Sequence, residues 1–200
     1  MTSRVGARRT QWIDEIALQS CPLHRAGTNN SMLLIQPEAQ VLDLSDQRWG
    51  QFSANYTDGS TVANLLEKAY AGDSIDHWFE DLQQEICHQY TISESAYPAA
   101  PHLVQLAKMD SDLGRPLLVL LGICRAYSDR SLLDSIPADV KDAWDHSAEA
   151  AVPILLELLS EAQPTQSDFL YLVSSLAACS GFSSLARSLE SLDYEPEKSE

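Results

Sequence analysis

Glu85 and His88 stand three residues apart in this 200-residue chain, with Cys87 between them. Residues three apart share a helix face. A carboxylate and an imidazole so placed could ligate one metal ion. Helical di-iron proteins use that pair, but they draw a second such pair and further carboxylates from other helices. This chain has no second Glu-x-x-His and no His-Glu-x-x-His, the zinc-peptidase pattern. His102 and His146 are the other candidate ligands, and nothing in the sequence brings them to Glu85. The reading is therefore no metal, with His88 a helix-end residue bonded to a carbonyl or to the hydroxyl of Thr91 or Ser93. A Cys87–His88 nucleophile pair is poorly disposed, because helix neighbours point about 100° apart. No nucleophile elbow, phosphate-cradling glycine loop or dinucleotide fingerprint occurs. No catalytic residue and no cofactor are expected, and the chain reads as a non-enzyme. The third reading of function, a metal-dependent enzyme, would be built around Glu85 and His88.

What the chain does offer is negative charge. It carries 13 basic against 29 acidic residues, a formal net charge of −16. The first hundred residues hold six basic against thirteen acidic, and the second hundred seven against sixteen, so the acidity runs throughout. Nucleic-acid binding needs clustered Lys and Arg to displace counterions, and anionic membranes repel such a surface. Neither partner is expected. A basic protein surface is the complementary partner. Asp73, Asp76, Glu80 and Asp81 form the densest local group. Wound into a helix from Ser74 to His88, they share its start and are the expected partner-binding residues. The helix dipole also favours carboxylates there, which is the purely structural account of the same residues.

The cysteines, Cys21, Cys87, Cys124 and Cys179, are far apart and form no Cys-x-x-Cys. That excludes a compact disulfide framework and a zinc knuckle. Three of them fall in apolar helical stretches, as small core residues in a reducing cytoplasm do. Pro116–Ile123 is far too short to span a bilayer.

The elements that must position these residues read as helices. Residues 1–9 form a basic arm expected to be flexible, and Thr10 opens a short helix through Trp12, Ile13 and Ile16. The apolar runs Met32–Ile35 and Val41–Leu44 allow a short N-terminal strand pair. Ser45 caps a turn carrying Trp49 and Phe52. Val62, Leu65, Leu66 and Ala69 make a helix ended by Gly72. Ile75, Phe79, Leu82 and Ile86 make the buried stripe of the next, leaving Asp76, Glu80, Asp81 and Gln84 to solvent. Further helices run over Tyr97–Lys108, Pro116–Tyr127, Ala138–Leu159 with a break or kink at Pro153, Gln166–Cys179 and Ser183–Leu192. The tail, 193–200, is acidic and expected to be disordered. Trp49, Trp78 and Trp144 are expected in the core.

Ala99-Ala100-Pro101-His102-Leu103-Val104 echoes Ala151-Val152-Pro153-Ile154-Leu155-Leu156, with the prolines 52 residues apart. Small residues before a proline and an apolar face fit the inner helix of a stacked helix pair. The fold class is therefore mainly α: HEAT-like stacked pairs over about residues 60–192, within a single solenoid-like helical domain at 10–192.

A wider pattern carries a resemblance. Leu42-Asp43-Leu44-Ser45-Asp46-Gln47-Arg48-Trp49, Tyr56, Val62-Ala63-Asn64-Leu65-Leu66, Trp78, His88-Gln89-Tyr90-Thr91 and Tyr97-Pro98-Ala99-Ala100-Pro101-His102 follow one another over residues 41–108. In this third of the chain the sequence resembles a group of bacterial HEAT-like helical proteins. Some of these are encoded beside polymorphic or contact-delivered toxins, as immunity proteins. Tyr90 departs from the pattern, which favours glycine after His-Gln. The resemblance implies a protein that binds and neutralises a cognate toxin with a basic surface. The alternative is a HEAT-like adaptor or scaffold for another cellular protein. A toxin gene directly upstream would favour the first.

Overall fold

The computed structural model describes residues 41–161 and 166–192. The arm at 1–9, the helix from Thr10, the Met32–Ile35 run and the tail at 193–200 lie outside the described residues. So does Cys21.

Side-chain caps set the first elements. Asp46 accepts the Arg48 backbone N–H and starts a 3-10 turn over Gln47–Gln51. That turn buries Trp49, whose indole N–H donates to the Asp43 carbonyl at 3.0 Å. Asp58 accepts from the Ser60 N–H and opens helix α1, Gly59–Tyr70. A Cβ at position 59 would overlap the Trp49 carbonyl, so glycine lets α1 start against the 3-10 turn. Val62, Leu65, Leu66 and Ala69 are buried on α1, as their spacing requires. Gly72, at φ +82°, turns the chain out of the helix.

The single helix expected from Ser74 to His88 is divided. Ile75–His77 form a 3-10 turn, and helix α2 covers only Phe79–Ile86. Trp78, at φ −141°, interrupts the helical path while its buried ring packs edge-on against Phe79. Phe79, Leu82 and Ile86 still form the buried stripe. Beyond Ile86 the chain becomes a hairpin, β1 (Cys87–His88) antiparallel to β2 (Thr91–Ile92). This is the one strand pair among the described residues, and Val41–Leu44 form no strand.

The remaining helices are α3 (Ala96–Met109), α4 (Ser111–Tyr127), the short α5 (Arg130–Ser135), α6 (Ala138–Glu161), α7 (Gln166–Cys179) and α8 (Ser183–Glu190). The described chain is thus mainly helical. Asp110 caps α4 through the Asp112 N–H, so that helix begins five residues before Pro116. Pro153 lies within α6, which is continuous to Glu161. Pairs α3–α4 and α6–α7 stack on each other: α3 lies against α6 and α4 against α7. The helices of Pro101 and Pro153 therefore pack side by side, the arrangement a helical repeat requires. Trp144 and Tyr97 join α6 to α3, their rings 4.8 Å apart. One apolar cluster runs from Leu42 to Cys179. Among the described residues no helix is long and apolar enough to cross a membrane.

His102 fastens the first described segment to this stack. It is buried on α3, and its Nε2 lies 2.9 Å from the Leu42 carbonyl. Nδ1 faces the Tyr70 hydroxyl at 3.2 Å, and that hydroxyl donates to Gln105 at 2.9 Å. Burial pulls the imidazole below its ordinary value, against the opposing pull of the Leu42 carbonyl and the Asp43 charge. Unfolded, His102 takes up its proton near the usual value of about 6.5. As pH falls from there towards the lower folded value, the unfolded chain binds more protons and the fold loses stability. His102→Gln should flatten that component. Urea denaturation of both proteins at neutral and mildly acidic pH tests it, and equal losses in the two would refute the assignment.

Candidate interaction surface

Glu85 comes from the inner margin of α2 and is only 7% exposed. A buried carboxylate is costly unless its oxygens are bonded. Its Oε2 accepts the backbone N–H groups of Tyr56 at 3.1 Å and Thr57 at 3.2 Å. The Asn55 N–H reaches the Glu85 carbonyl, and the Asn55 amide donates to the carbonyls of Gln84 and Thr91. The loop Ser53–Asp58 is thus clamped along its length to α2 and β2. Glu94 completes the clamp by accepting from the Ser53 N–H and hydroxyl.

His88 stands on β1, beyond the end of α2, so it does not share a helix face with Glu85. Its partners are neither a backbone carbonyl nor Thr91 nor Ser93. Nδ1 lies 2.6 Å from Gln84 Oε1, and Nε2 lies 2.9 Å from the Tyr56 hydroxyl. A neutral ring protonated at Nδ1 satisfies both, donating to Gln84 and accepting from Tyr56. The Ser93 hydroxyl bonds instead to the Glu85 carbonyl and to Ser95. Glu85 and His88 are therefore engaged in holding the loop and its tyrosine. No cluster of three or more metal-ligating groups occurs among the described residues. His146 is exposed on α6, bonded to the Asp142 carbonyl.

The clamp presents a ring. Tyr56 is 63% exposed, yet its ring sits edge-on to His88 at 5.1 Å with its hydroxyl bonded. Beside it runs the outward face of α2. Glu80 and Asp81 are exposed in its first turn, and Gln84 links that face to His88 and so to Tyr56. Asp73 and Asp76 are exposed just ahead, in the loop and the 3-10 turn. Among the described residues no cation pairs with any of the four carboxylates. The structure spreads them over a loop, a 3-10 turn and α2, but all four remain on the surface.

Gln89 and Tyr90 join β1 to β2 with both residues in the left-handed region, at φ +48° and +65°. Hairpins of this kind prefer Asn-Gly at these positions. Tyr90 stands where glycine would be easiest, and its ring stacks on Tyr127 at 4.4 Å. That contact offsets the backbone cost and ties the hairpin to α4.

Sequence reasoning missed Tyr56 and the loop around it. Its one local signal is Asp58, whose cap sets where the loop ends. The second role of Glu85 had no local signal, because its partners lie 28 and 29 residues earlier. Compared with known proteins, the chain matches no family model, and no curated protein and no solved structure proved similar to it.

Proposed function

We propose that this chain is an inhibitory binding protein, an immunity protein that neutralises a cognate bacterial toxin by covering a basic surface. The observation that carries this reading is the set of exposed carboxylates Asp73, Asp76, Glu80 and Asp81 at the start of α2 and just ahead of it, which have no cation partner among the described residues, together with the exposed Tyr56 held through His88 and Gln84 to the same helix. Carboxylates without internal partners are available to steer and pair with Lys and Arg on a partner. A tyrosine already fixed in one geometry loses little freedom on binding, and tyrosine is a frequent interface anchor. The resemblance of residues 41–108 to bacterial HEAT-like helical proteins, some of them encoded beside toxins, is the reason for naming a toxin as the partner. The same carboxylates and Tyr56 also suit the adaptor reading, in which an ordinary cellular protein presents the basic surface.

Co-expression with the product of the adjacent gene, followed by pull-down and growth rescue, tests the toxin reading. Reversing Asp76, Glu80 and Asp81 to Lys moves the net charge from −16 to −10. Exposed substitutions such as these should change stability by less than about 0.5 kcal/mol each. Binding should weaken by about ten-fold or more at low salt, mainly through slower association if the charges form the rim. Tyr56→Ala should weaken it to a similar degree, of order 1–2 kcal/mol, and should do so in high salt as well. Rescue and affinity unchanged in both variants would exclude this surface.

A further inference from the structure

The last two described helices carry almost no charge. From Phe169 to Leu192 the only ionic side chains are Arg187 and Glu190, in a chain whose net charge is −16. Both are engaged within the fold. Arg187 donates to the Ala126 carbonyl and covers the Tyr127 ring, and Glu190 accepts from the Ser174 hydroxyl. Helix α8 meets α7 and α4 through the side that carries Ala186 and Arg187. A different flank is apolar and open. Phe182 at the N-cap, Leu185, and Leu192 just past the C-cap are each more than half exposed, and Leu189 between them is half-buried. The Ala186 and Leu192 N–H groups donate to the carbonyls of Phe182 and Leu189, so helical turns run through both ends of the set. At about 100° per residue, positions 182, 185, 189 and 192 fall within a quarter of the helix circumference. The exposed Ser184, Ser188 and Ser191 border it. The outer pair of a stacked helical array ordinarily turns a polar face to solvent. An exposed apolar set with a polar border marks a contact surface.

We propose that this flank of α8 is the contact between two copies of the chain, paired antiparallel about a two-fold axis. Two observations select a second copy as the occupant. The first is the spacing, which runs three, four, three and so reads the same in both directions. Reversed against itself, the set places Phe182 opposite Leu192 and Leu185 opposite Leu189, and every apolar side chain meets another. The second is charge. Two copies at −16 each repel wherever their acidic surfaces meet, and a face without unpaired charge lets them approach. Antiparallel pairing also brings opposite helix ends together, which suits their dipoles. None of these residues belongs to the carboxylate surface around α2, and the contact between copies does not require it. The contact is short, so the dimer is weak and reversible, with a dissociation constant of roughly 10–100 µM.

Sedimentation velocity of the full chain, from about 5 to about 500 µM, tests this across the expected midpoint. The mass should rise with concentration from 22.1 kDa towards twice that value. High salt should strengthen the association, because it screens the repulsion and leaves the apolar contact intact. Leu185→Glu places a carboxylate in the contact twice, once from each copy. It should weaken association by about 100-fold or more while the dilute protein keeps its circular dichroism and thermal midpoint. Photo-cross-linking through Leu185→p-benzoylphenylalanine locates the occupant directly and does not depend on the charged variant. The expected product has twice the monomer mass and joins position 185 to the Leu189 segment of the other copy. A chain that stays monomeric at the highest concentration, a dimer that Leu185→Glu leaves unaffected, or a cross-link from position 185 to residues 1–40 of the same chain would overturn the proposal.

Discussion

Gly122→Ala should destabilise the fold by about 3 kcal/mol, although alanine is the better helix former by about 1 kcal/mol. Gly122 lies in the middle of α4, buried against α7. A Cβ built there would overlap the Ser175 side chain and lie 2.5 Å from the Ser175 Cα. A flexible side chain could swing away, but a backbone atom moves only if the two helices separate. Separation would open the contact on which the stacking of α3–α4 on α6–α7 depends. Interiors at crystal-like density transmit such a displacement instead of absorbing it. Ser175→Gly in the same background should recover only part of the loss. It removes the overlapping Oγ and Cβ but leaves the Cα in place. Urea midpoints of the three proteins measure this. A Gly122→Ala midpoint at or above the wild-type value would mean that α4 and α7 are farther apart than described.

Trp144→Ala should cost a similar amount, about 3–5 kcal/mol, by emptying the joint between α3 and α6. Trp144 is 2% exposed, and its ring lies 4.8 Å from that of Tyr97. The Arg125 guanidinium covers the same ring at 4.6 Å and also bonds to the Trp144 carbonyl and to Asp145. Truncation removes the stacked pair and the cation–π contact, while the bonds from Arg125 to the carbonyl and to Asp145 can persist. The loss therefore falls on packing. For a chain of this length it should lower the thermal midpoint by roughly 10 °C or more. Trp144→Phe keeps part of the ring and should lose less than half as much. If Trp144→Ala melts within a degree or two of wild type, α3 and α6 are not joined through this residue.

Both substitutions probe contacts between elements far apart in sequence, whereas the elements themselves were legible locally. Val62, Leu65, Leu66 and Ala69 recur at helical spacing, and that spacing alone makes one face of α1 apolar. Gly72 and Gly181 sit at positive φ where helices end, as glycines following an apolar run do. The stripe of Phe79, Leu82 and Ile86 was also readable, and with it the outward position of Asp76, Glu80 and Asp81. The division of that region was not. Two-residue strands are too short to show a period, and Gln89-Tyr90 lacks the Asn or Gly that announces a tight hairpin turn. A helical period extended past Ile86 therefore placed His88 on the wrong element and paired it with Glu85.

By itself, then, the sequence determined the helical class, the main apolar faces, the helix end at Gly72 and the negative charge, while the capping side chains proved to be Asp46, Asp58 and Asp110, not the expected Ser45 and its like. The features it determined follow from interactions within one or two turns of chain, where residue type and spacing suffice. Only the tertiary structure decided which polar groups meet. Glu85 reaches backbone N–H groups 28 and 29 residues away, and His102 reaches the Leu42 carbonyl 60 residues away. Burial forces each of these groups to find a partner, but it does not say which one. The partner is set by how the helices pack, and packing sums many weak apolar contacts over the whole chain. Tyr56 is exposed yet fixed for the same reason: its loop is held by residues of α2, β1 and β2.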